Sequence, residues 1–248
     1  MSTTQPAPEG AAIVLGASGG VGGALVNALS RRGEHERIWA LGRARPEALD
    51  GVPGAAWLQA DFDEEASLEA AAREVAQGPL PRLVIVATGT LTPLGQGPEK
   101  SLRGVRQDTL LEAFRINAVG PALAARAFLP LAPRQGRFVF AALSARVGSI
   151  SDNRLGGWHA YRASKAALNM LIRNAAIELA RTRPDAIVAA IHPGTVDTRL
   201  SRPFQSGVRP GSLQAPEEAA RRILDVLAGL EASQSGGFYA WDGQPIPW

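Results

Sequence analysis

A glycine-rich corner between an apolar run and a helical stretch limits what this chain can fold into. Ala11–Leu15 (AAIVL) is a short apolar run, and Gly16-Ala17-Ser18-Gly19-Gly20-Val21-Gly22 follows it at once. Residues 21–32 then carry apolar side chains at helical spacing. Glycines at such a corner let the backbone turn tightly and approach a pyrophosphate. The helix start offers unpaired N–H groups and the positive end of its dipole to the anion. The segment therefore reads as strand, turn and helix opening a dinucleotide site, with Ser18, Gly19, Gly20 and Val21 among the backbone contacts. The plain alternative is a tight corner with no ligand.

The rest of the chain repeats this alternation. Further strand candidates are residues 37–41, 55–60, 83–87, 136–143, 186–191 and 236–240. Helical stretches stand between them: one opening at DFDEEAS, then 106–129, 161–181 and 215–230, the last introduced by Pro216. Regular alternation predicts an α/β fold, a doubly wound parallel sheet of about seven strands with helices on both faces. Residues 11–248 read as a single domain, and residues 1–10 (MSTTQPAPEG) as a disordered tail. Residues 198–214 form the longest stretch without a pattern and read as a lid.

Composition removes several functions. Arginine supplies nearly all of the 26 cations, since Lys100 and Lys165 are the only lysines, and 23 acids leave a net charge of +3. These cations are dispersed, whereas nucleic-acid binding needs a cluster that neutralises many phosphates. No cysteine is present, so thiol nucleophiles, thiolate metal sites and disulfides are excluded. His35, His159 and His192 are too scattered to suggest a metal site. No apolar run approaches the roughly 18 residues of a membrane span. The first residues lack the features of a signal peptide. A cytoplasmic protein without membrane or nucleic-acid partners is expected.

Two positions carry chemical choices. At the end of the second strand, Leu41-Gly42-Arg43 has no acid to accept the ribose 2′-hydroxyl of NAD, while Arg43 could pair with the 2′-phosphate of NADP. NADP(H) is therefore expected over NAD(H), the alternative being a solvated arginine. In Tyr161-Arg162-Ala163-Ser164-Lys165, positions i and i+4 of a helix share a face. Tyr161 and Lys165 can then enter one cleft, where an ammonium would lower the phenol's pKa towards neutrality and make it a useful acid–base group.

The glycine spacing of Gly16, Gly20 and Gly22, together with the YRASKAALN run, resembles the short-chain dehydrogenase/reductase family. Leu15 stands where that family's TGxxxGxG pattern has threonine. The resemblance implies a hydride-transferring oxidoreductase acting on a small carbonyl/alcohol pair with a homodimeric or homotetrameric assembly, and it assigns roles to further positions. Asp61 and Phe62 would contact adenine, although Asp61 could equally cap a helix. Ala87, Thr88 and Gly89 replace the family's NNAG and would keep only its backbone contacts. Asn117 would hold a water beside Lys165. Pro193, Gly194, Val196 and Thr198 would bend over the nicotinamide. The serine that binds the substrate oxygen aligns, through Gly148, with Ala145; Ser144 is the expected substitute and Ser149 the second. The combination of LSARVGSISDNRLGGW with WDGQPIPW resembles the C-factor-like branch, whose members are linked to cell–cell signalling. A nucleotide-binding signalling protein with little turnover is the competing expectation.

Overall fold

The computed structural model describes residues 7–46, 49–207 and 211–248. Seven parallel strands form one sheet in the order β3-β2-β1-β4-β5-β6-β9. They are β1 (Ala11–Leu15), β2 (Arg37–Gly42), β3 (Ala55–Gln59), β4 (Pro81–Val86), β5 (Phe138–Leu143), β6 (Ala186–His192) and β9 (Phe238–Ala240). The remaining two strands, β7 (Thr195–Val196) and β8 (Leu213–Gln214), pair only with each other. The helices are α1 (Gly20–Arg32), α2 (Glu65–Val75), α3 (Gln107–Phe114), α4 (Gly120–Phe128), α5 (His159–Ala180) and α6 (Pro216–Gly229).

Apart from Arg82 near the start of β4, strands β1, β4 and β5 are apolar because both of their faces are covered. Ile13 and Leu15 pack with residues of α2, α4 and α5 on one side, while Ala12 and Val14 pack with those of α1 and α6 on the other. The strand order reverses between β1 and β4, and in such sheets the crevice beyond the carboxyl ends at that point receives ligands. The glycine corner lies there.

Three expectations change in detail. The helix read over 106–129 is interrupted: Arg115–Val119 is a wider turn, with the Gly120 N–H bonded to the Arg115 carbonyl. Pro121 explains it, since it has no N–H for the carbonyl of Asn117 and its ring crowds that carbonyl. Among the described residues, the stretch 198–214 carries a tight helical turn at Arg202–Gly207 and β8 at its end. Within the expected tail, residues 1–6 also lie outside the described residues. Glu9 and Gly10, however, are tied down. The Glu9 N–H bonds Glu34 O at 2.9 Å, the Glu9 carboxylate pairs with Arg82, and the Gly10 N–H reaches Glu36 Oε1 at 2.9 Å. The anchors come from the approach to β2 (Glu34, Glu36) and from β4 (Arg82), which residue composition does not advertise.

Candidate active site

The glycine corner is pinned before any ligand is considered. Gly16 and Ala17 donate their N–H groups to Leu41 O at 2.9 and 3.1 Å, which ties the turn to β2. A Cβ on Gly22 would lie 2.1 Å from Gly16 O, so only glycine lets α1 start this close to the turn. Thr198 closes over the same helix start: a Cβ on Gly20 would meet its Cγ2 at 2.7 Å.

A cavity of about 380 Å³ opens beyond β1 and β4. It gathers Gly16, Ser18, Gly19, Arg43, Asp61, Phe62, Ala87, Thr88 and Gly89 on its walls. Arg43 is exposed there and makes no ion pair among the described residues, while its neighbour Arg45 pairs with Asp50 at 2.5 Å. Thr88 Oγ1 is buried without a hydrogen-bond partner. The cap reading of Asp61 gives way to a local turn, since its Oδ1 accepts the Asp63 N–H at 3.1 Å and α2 begins beyond Glu64. The Phe62 ring lies against Gly120, where an added Cβ would come within 2.0 Å of it. Arg115 also lines this cavity, bonded to Asp63 and doubly to Glu112 at 2.6 Å. The sequence reading missed Arg115, whose only signal was its place two residues before Asn117.

Of the expected cofactor residues, Gly20, Val21, Gly22, Tyr161, Lys165, Pro193, Gly194, Val196 and Thr198 lie outside the cavity wall. Val21 packs into the core, and Val196 is buried. Pro193 and Gly194 form a bend held by Gln214, whose Nε2 donates to Pro193 O at 3.2 Å. Gly194 has φ +81°.

The acid–base group assembles on α5. Asn117 is fully buried; its Oδ1 accepts the Thr90 N–H at 2.8 Å, and its Nδ2 donates to Thr90 O at 2.9 Å and to Ser164 Oγ at 3.0 Å. Lys165 Nζ donates to Leu143 O at 2.8 Å. Both side chains converge on Gly89, from whose Cβ position Asn117 Oδ1 would lie at 3.3 Å and Lys165 Nζ at 3.4 Å. Burial pushes the Tyr161 phenol up to about 12 and the Lys165 ammonium down to about 7. The shift of the phenol therefore runs opposite to the expected lowering, because desolvation disfavours both charged forms. Burial also holds His192 down to about 4, with the Arg146 charge adding to it, so this imidazole is neutral.

The serine expectation needs correction. Ser144 is buried and its Oγ donates to Asn169 Oδ1 at 2.6 Å, so its hydroxyl braces β5 against α5. Ser149 is also buried, and its Oγ accepts the Asp152 N–H at 3.1 Å. Alternate residues of a strand end point to opposite sides, which leaves the position beside Ser144 to the Ala145 methyl.

A sheet with this strand order, a glycine corner at its reversal and a Tyr-x-x-x-Lys helix defines a nicotinamide-dependent dehydrogenase. The short chain dehydrogenase family pattern matches residues 10–208, and the chain belongs to that family as an NAD(P)-dependent oxidoreductase. It is 38% identical over 141 residues to C-signal of Myxococcus xanthus, an alignment covering 56% of this chain and 78% of that protein. Its fold is similar to an NADPH-bound carbonyl reductase from chicken fatty liver (TM-score 0.82, 24% identity, 98% and 100% of the two chains). It is also similar to an NADP-bound short-chain dehydrogenase/reductase from Burkholderia multivorans (TM-score 0.78, 25% identity, 98% and 100%).

Proposed function

We propose that residues 11–248 form one catalytic unit, an NADP(H)-dependent oxidoreductase that interconverts a small carbonyl compound and its alcohol. The observation that carries this reading is the meeting of Asn117 and Lys165 at Gly89, on the wall of the glycine-corner cavity and one helical turn from Tyr161. The cofactor fits the residues present. The glycine corner leaves backbone N–H groups for a pyrophosphate, Thr88 has an unpartnered hydroxyl, and Arg43 stands on the wall where a 2′-phosphate needs a cation. The chicken and Burkholderia proteins carry NADPH and NADP at their own sites, which favours the phosphorylated form here.

When bound, the nicotinamide supplies a hydride to the carbonyl carbon and is left oxidised. Tyr161 gives its phenolic proton to the carbonyl oxygen as the C=O π pair becomes an O–H bond, and takes it back in alcohol oxidation. Lys165 in its charged form favours the phenolate and so opposes the rise that burial imposes on Tyr161. Asn117 braces the widened turn against α5 and organises the water that returns a proton to Tyr161. Gly16, Ser18, Gly19, Gly20, Val21 and Thr198 hold the phosphates. Asp61 and Phe62 face adenine, Ala87 to Gly89 offer backbone groups, and Pro193, Gly194 and Val196 cover the nicotinamide. Replacement of Tyr161 by Phe is expected to lower kcat about 10³-fold while NADPH affinity stays unchanged. Unchanged turnover overturns the assignment.

A second reading is favoured by the engaged hydroxyls of Ser144 and Ser149 and the methyl of Ala145: a nucleotide-binding regulatory protein with little turnover. Saturable, Tyr161-dependent NADPH oxidation in a screen of aldehydes and ketones decides against it. In either case α4 and α5 leave an outer groove lined by Ala122, Ala125, Leu171 and Ala175, with Leu171 exposed, that suits pairing with a second copy. A molar mass of one chain by light scattering rules out the expected homodimer or homotetramer.

A further inference from the structure

The backbone entering α5 is strained. Gly156, Gly157 and Trp158 have φ of +63°, +64° and +52° in succession. Glycine adopts such angles freely, whereas a tryptophan does so only where its surroundings impose it, and such positions cluster at functional sites. The surroundings here are built around Glu99, a buried carboxylate far away in sequence and outside every expected site. Its main-chain oxygen accepts the Trp158 N–H at 2.6 Å, and its Oε2 accepts the Ala160 N–H at 3.2 Å. Its side chain belongs to a residue only 7% exposed, and its Oε1 is buried with no partner. A Cβ on Gly157 would lie 3.3 Å from the same carbonyl, so the turn is fitted against Glu99. Arg162 grips it from the other side, donating to Gly157 O at 3.0 Å and to Val147 O at 3.2 Å.

The result is a placed indole. The Trp158 ring meets Tyr161 edge-on at 6.3 Å and 62°, and meets Phe204 at 5.7 Å. Phe204 comes from the Arg202–Gly207 turn, in the stretch read as a lid. The indole thus stands between the Tyr161 and Phe204 rings, in contact with both.

We propose that Trp158 is the specificity-determining residue of the carbonyl site. Glu99 fixes it as one wall of a flat slot, Phe204 closes the far end, and the slot selects carbonyls conjugated to an aromatic ring over saturated ones. This rests on the reading of Tyr161 as proton donor. A planar ring gains edge and face contacts with aromatic walls that a puckered ring of equal size does not.

Benzaldehyde and cyclohexanecarbaldehyde, equal in carbon number, separate the two cases. With NADPH the wild-type kcat/KM should favour benzaldehyde about tenfold. Trp158→Ala should bring the ratio to within about threefold, through a raised KM for benzaldehyde, with NADPH affinity unchanged. Glu99→Ala should do the same, while Glu99→Gln, which keeps an acceptor for Ala160, should restore the selectivity. If Trp158→Ala does not fold, Phe204→Ala carries the same expectation. A wild-type ratio near one, or selectivity that survives loss of the indole, overturns the proposal. Failure to reduce either aldehyde defeats the catalytic reading, and a binding measurement then decides the slot separately. Benzyl alcohol should raise Tm saturably in the wild type and not in Trp158→Ala, with no shift from cyclohexylmethanol; absence of the benzyl alcohol shift overturns the slot.

Discussion

The two ends of the cleft are built by opposite means. At the cofactor end, the turn from Gly16 to Gly22 is tied mainly to itself and to the flanking strands β2 and β4, with Thr198 over the helix start, and the closest approach, at Gly22, is between residues six apart. At the carbonyl end, Trp158 depends on Glu99, Arg162 and Phe204, which come from three separate parts of the chain. The first end is a backbone device of the kind that suits a pyrophosphate. The second is a side-chain device whose strain is imposed from outside.

The comparison breaks if cofactor choice also proves to depend on the distant elements. Arg43 makes the largest test, since it belongs wholly to the local end. Replacing it with Asp removes a charge-assisted contact to the 2′-phosphate and adds a like charge. NADPH affinity should fall by about 2 kcal/mol, roughly 30-fold, and NADH affinity should rise. Titration of both nucleotides against wild type and variant gives the answer. Equal wild-type affinities for NADPH and NADH would show that Arg43 is only a solvated surface group.

The same division explains what could be read from sequence. The parallel sheet followed from apolar runs spaced by helical stretches, and Tyr161 and Lys165 followed from an i, i+4 pair in a chain with only two of each residue. The glycine corner was legible because its shape depends on immediate neighbours, and the place of Arg43 on the cavity wall because it directly follows β2. Ser144 misled for the same reason: a serine at a strand end looks available, and only Asn169, brought alongside by α5, shows that its hydroxyl is used. Glu99 gave no signal at all. It lies in an irregular connection, and its value comes from the turn that the tertiary fold sets against it. The widened turn at Asn117 was in principle visible from Pro121, whose missing N–H interrupts the ladder four residues earlier.

A smaller effect sharpens the contrast, because the Lys165 ammonium is costly to keep buried. Lys165 is held down to about 7 in the folded cofactor-free protein, against 10.5 for an ordinary lysine. Between those values the unfolded chain carries a proton that the folded chain has shed, so stability should rise with pH across that window. Tyr161 acts in the opposite sense above 10.0, where the unfolded chain loses the phenolic proton and the folded chain keeps it until about 12. The pair alone therefore places greatest stability near pH 10. Urea unfolding at about pH 6 and about pH 9 should show a higher midpoint at the higher pH in wild type and a much smaller rise in Lys165→Met. The variant should also be the more stable of the two at the lower pH, since a thioether needs no hydration there. An equal rise in both proteins would mean that Lys165 stays hydrated and charged. The carbonyl end would then owe its chemistry to ordinary solvent exposure, and the distinction between a local backbone device and a strained, buried one would lose its energetic basis.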